Sequence, residues 1–445
     1  MLQTLSDALW RPWMLGAFLF TGLWCSLSGG FFQLFGLKSW LKESLGALRG
    51  GKKEGKTGEL SPFQALCTAL ASTMGTGSIA GVATAITLGG AGAVLWMWVV
   101  AVLGMMTGYV EKFLAVRHRR RGPTGWEGGP IEYLSHLGWR LAGGWYALWC
   151  ALSALTGGAL VQTNSMVSCL PGLGPAGRWG AGGLIALTVA WVMAGGLKGL
   201  GKLSQALVPA MAGLYLTAGV AVICHNAVAL PAALAAIFRG ALSPQALAGG
   251  AAGAALRYGV ARGVFTNEAG IGSSAMAHAA ADAKSPASEG FWGMLEVCLA
   301  TLVICTVTAL CILTTGVYDP AAALEAIRAG TVTGAMTGAP LTAAAFATVF
   351  GRGGPAIVAV CLFLFAFTSL LGWGYYGERG LSCLTGEEGL KGPFRLLFLT
   401  AIVLGSVGGV GQVWALSDIC NGLMALPNLL ALAVLAPEAW RELKK

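Results

Sequence analysis

The chain has 445 residues, of which 56% are hydrophobic and only 11% charged, against roughly 25% charged in a soluble domain. A mean hydropathy of +0.71, carried by recurrent apolar runs of about 20 residues, excludes a soluble globular protein and predicts a polytopic helical membrane protein. The net charge of +9 is not a nucleic-acid footprint, because Lys and Arg cluster in short loops, where they set membrane orientation.

Glycine, at 68 residues, suits helices that pack closely through small side chains. The eleven cysteines lie mostly inside apolar segments and form no CxxC pair, so neither a disulfide framework nor a zinc site is expected.

In chain order, residues 1–60 hold an opening apolar segment, Trp13 to Leu37, that reads as retained rather than as a cleaved signal. A basic loop follows with Lys38, Lys42, Arg49, Lys52, Lys53 and Lys56. Placing that loop in the cytoplasm puts the N-terminus outside. Residues 61–227 form a first group of five segments, with a second basic cluster at Arg117-His118-Arg119-Arg120-Arg121 and an interfacial stretch from Gly125 to Tyr133. Residues 228–254 read as an external connector. Residues 255–437 form a second group of five, with an outer loop from Gly316 to Arg352 long enough for short helices. The tail, 438–445, falls in the cytoplasm. The expected architecture is all-α, about 11 transmembrane helices, counted as one plus five plus five.

The first segment of each group is interrupted. Ser72-Thr73-Met74-Gly75-Thr76-Gly77-Ser78 lies mid-span in the first, and Phe265-Thr266-Asn267-Glu268-Ala269-Gly270-Ile271-Gly272-Ser273-Ser274 in the second. Five is odd, so the groups have opposite orientation. A single glycine-rich stretch more often marks a close helix crossing. Two at matched positions of inverted halves point to a midplane transport site.

An opened helix offers N–H donors to a carboxylate and free carbonyls to a cation. Thr76, Gly77 and Ser78 therefore suit the carboxylate of a zwitterionic amino acid. Gln162 is a candidate acceptor for its ammonium, or a helix–helix hydrogen bond. Asn267, beside Thr266, suits Na⁺ or substrate, while Phe265 and Trp373 form apolar walls or ordinary packing. Glu268 is open to several readings: cation ligand, proton carrier, partner of Arg262 or half-helix cap. Thr368 and Ser369 can give hydroxyl oxygens to Na⁺ beside carbonyls near Ala71 and Met74, or can bond back to their own helix.

His118, His136, His225 and His278 show no metal or triad spacing. No phosphate-binding glycine loop with a Lys is present. An ion gradient, Na⁺ or H⁺, is then the expected energy source, with no cofactor. The expected partners are a small amino acid and membrane lipid, with no nucleic acid. The sequence carries no signal of oligomeric state.

At GTGSIAGVATAI (within 69–86), Gly128-Gly129-Pro130-Ile131-Glu132-Tyr133, RGVFTNEAGIGSS (262–274), Ala277-His278-Ala279-Ala280, Trp292-Gly293-Met294, LGWGYYGE (371–378) and NGLMALPNLL (421–430), the chain resembles the alanine or glycine:cation symporter family. The resemblance covers most of the chain from Phe31 onward. It implies a LeuT-like inverted repeat of five plus five helices with an extra N-terminal helix, in a prokaryotic-type plasma membrane. It also implies import of alanine or glycine with Na⁺.

Carried over by the resemblance, Thr76, Gly77, Gln162, Phe265, Asn267 and Trp373 would surround the substrate. Ala71, Met74, Thr368 and Ser369 would hold sodium. The chain departs from the family at Ser78, where Asn is usual, at Thr266, where Ser is usual, and before Gln162, where an Asn is usual.

Overall fold

The computed structural model describes residues 2–49, 60–122, 125–170, 172–242, 251–385 and 390–443. Helices dominate throughout. Among the described residues six of them, Ala93–Arg117, Arg140–Ser168, Gly196–His225, Pro286–Thr314, Gly353–Thr385 and Gly411–Leu443, are long and apolar enough to cross a membrane.

The opening region contains α1 (Leu2–Leu9), α2 (Pro12–Ser28), α3 (Phe32–Phe35) and α4 (Leu37–Arg49). It corrects the expectation of one segment reaching Leu37. Gly29 and Gly30 end α2, Gly30 has φ +63°, and Phe31 takes a left-handed φ of +52°, which stops helix propagation. Lys38 and Lys42, expected in a loop, lie on α4. Arg49 ends that helix, and Lys52, Lys53 and Lys56 fall outside the described residues.

The first group begins with a helix broken into α5 (Pro62–Thr73) and α6 (Ala80–Gly89), joined through a tight 3₁₀ turn at Thr76–Ser78. Ser61 caps α5 in a reciprocal box with Gln64, satisfying two of its orphan donors. Next come α7 (Ala93–Arg117), a small hairpin pairing 120–122 with 125–127, α8 (Pro130–His136) and α9 (Arg140–Ser168). Helix α9 widens to π-type over Ala154–Val161. Helices α10 (Pro175–Ala194) and α11 (Gly196–His225) complete the group. Between the groups lies α12 (Leu230–Leu242).

The second group repeats the order. Its broken first helix is α13 (Ala251–Asn267) and α14 (Ala275–Ala279), followed by α15 (Pro286–Thr314). The loop from Gly316 to Arg352 holds α16 (Pro320–Ala329) and α17 (Gly338–Phe350), and α18 (Gly353–Thr385), α19 (Lys391–Gly405) and α20 (Val410–Leu443) close the set. Each group carries its insertion after its second helix, as two copies of one plan would.

The two broken helices and α7 form the centre. Val82, Val100, Val260, Val264 and Val297 are buried together in one apolar cluster. Peripheral α10 and α19 instead expose Leu184, Leu187, Trp191, Leu396 and Leu397, a surface that suits hydrocarbon rather than water. The start of α5 and the end of α14 are tied by backbone: the Leu60 N–H donates to the Ala280 carbonyl (3.3 Å) and the Asp282 N–H to the Leu60 carbonyl (2.8 Å).

Candidate functional site

At the first break, the Thr76 N–H donates to Gln162 Oε1 at 3.1 Å. Gln162 Nε2 in turn donates to the Gly157 carbonyl at 3.2 Å, inside the π-type stretch whose wider winding frees that carbonyl. Gly75 admits this approach: a Cβ there would lie 3.0 Å from both Gln162 Oε1 and Ser369 Oγ. Ser369 Oγ donates to the Ser72 carbonyl at 2.8 Å, at the open C-terminal end of α5. Thr368 Oγ1, by contrast, turns to the Leu364 and Phe365 carbonyls of its own helix, both at 3.0 Å. Only Ser369 of the hydroxyl pair reaches the break. Ala71 and Met74 flank Ser72 and Thr73 at the C-terminal end of α5, where the last carbonyls of a helix lack intrahelical partners and such oxygens suit a hard cation.

The second break is held differently. Glu268 has φ +54°, a left-handed conformation costing about 1–3 kcal/mol for such a residue and typical of functional sites. Its carboxylate accepts from the Ser273 hydroxyl. Asn267 Oδ1 accepts the Ala269 N–H at 3.0 Å, so Asn267 caps the break from within, and its Nδ2 lies beside Gly104 of α7. Thr266 Oγ1 bonds the Arg262 carbonyl at 2.7 Å, and Ser78 is fully buried, its carbonyl accepting from Thr308 Oγ1 at 2.8 Å.

Between the breaks lies a narrow cavity of about 10 Å³, room for little more than one water in this conformation. The structure brings Gly77, Gln162, Phe265 and Trp373 into its wall, together with Glu268. Thr76, Ser78, Thr266 and Asn267 are adjacent but do not line it.

Sequence reasoning missed Gly75, Gly157, Ile271 and Asn421 as wall residues. Asn421 lies on α20 with a buried, unpartnered Oδ1. One face of the cavity is covered by the Phe265 and Trp414 rings, 5.2 Å apart. Arg262 sits over Trp414 and pairs with Asp418 at 3.1 Å.

A second feature escaped the sequence. Glu111 and Lys112 of α7, His278 of α14, and Glu289 and Glu296 of α15 are wholly buried and joined. Lys112 Nζ lies 3.2 Å from Glu296 and 3.4 Å from Glu111. His278 bridges Glu289 (2.7 Å) and Glu296 (3.3 Å). Glu111 Oε1 accepts the Gly270 N–H at 2.9 Å and Asn428 Nδ2 at 2.8 Å, linking the network to the second break. The adjacent acid and base Glu111-Lys112 inside an apolar run was the available signal.

Against this geometry, the model of the sodium:alanine symporter family matches residues 1–445. The chain belongs to the sodium:alanine symporter family. Membership makes it a multi-pass sodium-coupled amino-acid symporter rather than an enzyme.

The sodium/alanine symporter AgcS of Methanococcus maripaludis is 37% identical over 100% of this chain and 98% of its own length. An uncharacterized transporter of Haemophilus influenzae is 38% identical over 97% and 92% respectively. A probable sodium/glutamine symporter of Bacillus subtilis, GlnT, is 34% identical over 99% and 88%.

Among solved structures, MhsT in complex with L-phenylalanine superposes with a TM-score of 0.55 at 15% identity, over 88% of this chain and 99% of that one. This likeness shows the symporter's LeuT-type fold.

Proposed function

We propose that this symporter imports a small neutral amino acid, alanine or glycine, together with Na⁺, by alternating access around the cavity between its two broken helices. The observation that carries this reading is the pair of cross-helix contacts at the first break. Gln162 caps the Thr76 N–H and Ser369 caps the Ser72 carbonyl, so both polarities of an opened helix are presented at one point.

In this reading the substrate carboxylate takes N–H donors at Thr76 and Gly77, with Gln162 releasing one of them. The ammonium meets Asn421 Oδ1 and the free carbonyls of α5. Na⁺ is held by carbonyls of Ala71 and Met74 with Ser369, and by Thr368 once its hydroxyl turns from its own helix. Ser78, Thr266 and Asn267 act from behind the wall by fixing the two breaks.

Phe265, Trp373 and Ile271 limit side-chain size, although each methylene discriminates by only about 1–3 kcal/mol. A carboxylate beside a cation makes each ligand raise the affinity of the other, which is the coupling symport requires. The basic clusters support a cytoplasmic placement of the loops and C-terminus and an external N-terminus.

A labelled amino-acid panel taken up into proteoliposomes under a Na⁺ gradient tests the substrate. Saturable alanine and glycine uptake supports the reading, and exclusive uptake of larger amino acids contradicts it. Glu268, buried in the wall at a left-handed φ, favours a second reading with H⁺ as the coupled ion. Uptake that follows pH, ignores Na⁺ and vanishes in Glu268→Gln would establish it.

A further inference from the structure

Away from the cavity, three side chains from three elements converge at one end of the molecule. His118 follows the last residue of α7, His136 ends α8, and Glu438 lies in the last turns of α20. The sequence spacing gave no hint of a metal cluster among the histidines. In space, His118 Nε2 is 2.9 Å from Glu438 Oε2. The two imidazole rings lie 4.0 Å apart, tilted by 32°. One ligand atom from each of the three residues lies within 4.8 Å of the other two.

An ordinary histidine–carboxylate hydrogen bond accounts for His118 and Glu438. It does not account for a second imidazole laid against the first, since two protonated rings in that position repel. Each imidazole can present one ring nitrogen to a metal.

Two imidazole nitrogens and one carboxylate are the three-ligand set that binds Zn²⁺ with a position left for water. Tetrahedral Zn–N bonds of about 2.0–2.1 Å place ligand atoms roughly 3.3 Å apart, a spacing the exposed His136 ring can meet by rotation. Arg117 opposes a cation, and the Glu438 carboxylate offsets it.

We propose that His118, His136 and Glu438 form a Zn²⁺ site, and that the bound ion slows transport by tying α7 to α20. These helices belong to opposite groups of five. A ligand that grips both favours whichever state holds them in this relation, by its difference in affinity between states.

The test uses the full-length protein in detergent, freed of any affinity tag and of metal, titrated with Zn²⁺ by calorimetry. One equivalent should bind, with affinity reduced roughly tenfold or more in His118→Ala and in His136→Ala, and unchanged in His225→Ala, whose side chain is exposed on a different helix. His136 is exposed, so His136→Ala keeps the test valid if His118→Ala does not fold.

In proteoliposomes, Zn²⁺ on the side bearing the C-terminus should slow uptake, chelator should restore it, and His136→Ala should be insensitive. No binding, or equal binding by the wild type and His136→Ala, overturns the site. Binding with unchanged uptake, or equal slowing of His136→Ala, overturns the restraint.

Discussion

Gln162 is the residue on which the site turns. Its amide spans from the π-type stretch of α9 to the Thr76 N–H, so it holds a backbone donor that would otherwise be orphaned when the pocket is empty of substrate. Gln162→Ala should abolish uptake while the protein stays folded and monodisperse, checked by uptake beside size-exclusion chromatography.

Ser369→Ala removes a single oxygen from the open end of α5. It should raise the Na⁺ concentration for half-maximal uptake by about tenfold, equivalent to roughly 1.4 kcal/mol, with less change in maximal rate. An unchanged Na⁺ dependence would detach Ser369 from the ion.

Sequence reading and the family resemblance singled out Gln162, Phe265 and Trp373, and all three lie in the cavity wall. Neither could tell that Asn267 turns inward to cap the Ala269 N–H, since a side chain's direction at a break depends on backbone dihedrals that the sequence does not display.

At the scale of elements, both breaks were legible from their glycines and hydroxyls, and the order of helices followed. The opener's extent was not. Gly29-Gly30 resembles the small-residue packing common in membrane helices, and only the left-handed Phe31 reveals a stop. The buried network was also hidden, because Lys112 and Glu296 meet across α7 and α15 from positions far apart in the chain.

That network ties the second break, through Gly270, to two rigid helices. Lys112→Met would leave Glu111 and Glu296 without their shared cation. Removing one partner of a buried pair costs roughly 3–5 kcal/mol, so the apparent melting temperature in detergent should fall by several degrees. Close packing sets a second constraint: a Cβ on Gly158 would lie 2.4 Å from Trp373 Cβ. Gly158→Val should therefore displace the Trp373 wall and lower alanine affinity, read from half-saturation of uptake.

Across the whole molecule, contacts lie on both sides of the cavity. The Leu60–Ala280 and Leu60–Asp282 backbone bonds join the start of α5 to the end of α14, while Arg262, Asp418, Trp414 and Phe265 make linked contacts on the other face. In the proposed alternating access, opening that face would part Arg262 from Asp418. Arg262→Gln should accelerate exchange of bound substrate from that side, measured as counterflow in proteoliposomes, and slower exchange would assign the pair another role.

If Na⁺ and amino acid share the space between the two breaks, neither should move without the other. That is tested by labelled alanine uptake into proteoliposomes under an imposed Na⁺ gradient, compared with a proton gradient alone, for the wild type and Ser369→Ala. Na⁺-driven, saturable uptake is expected in the wild type, with the Na⁺ requirement raised in Ser369→Ala. Uptake driven equally without Na⁺, or the same Na⁺ requirement in both proteins, would show that the two ligands do not meet there.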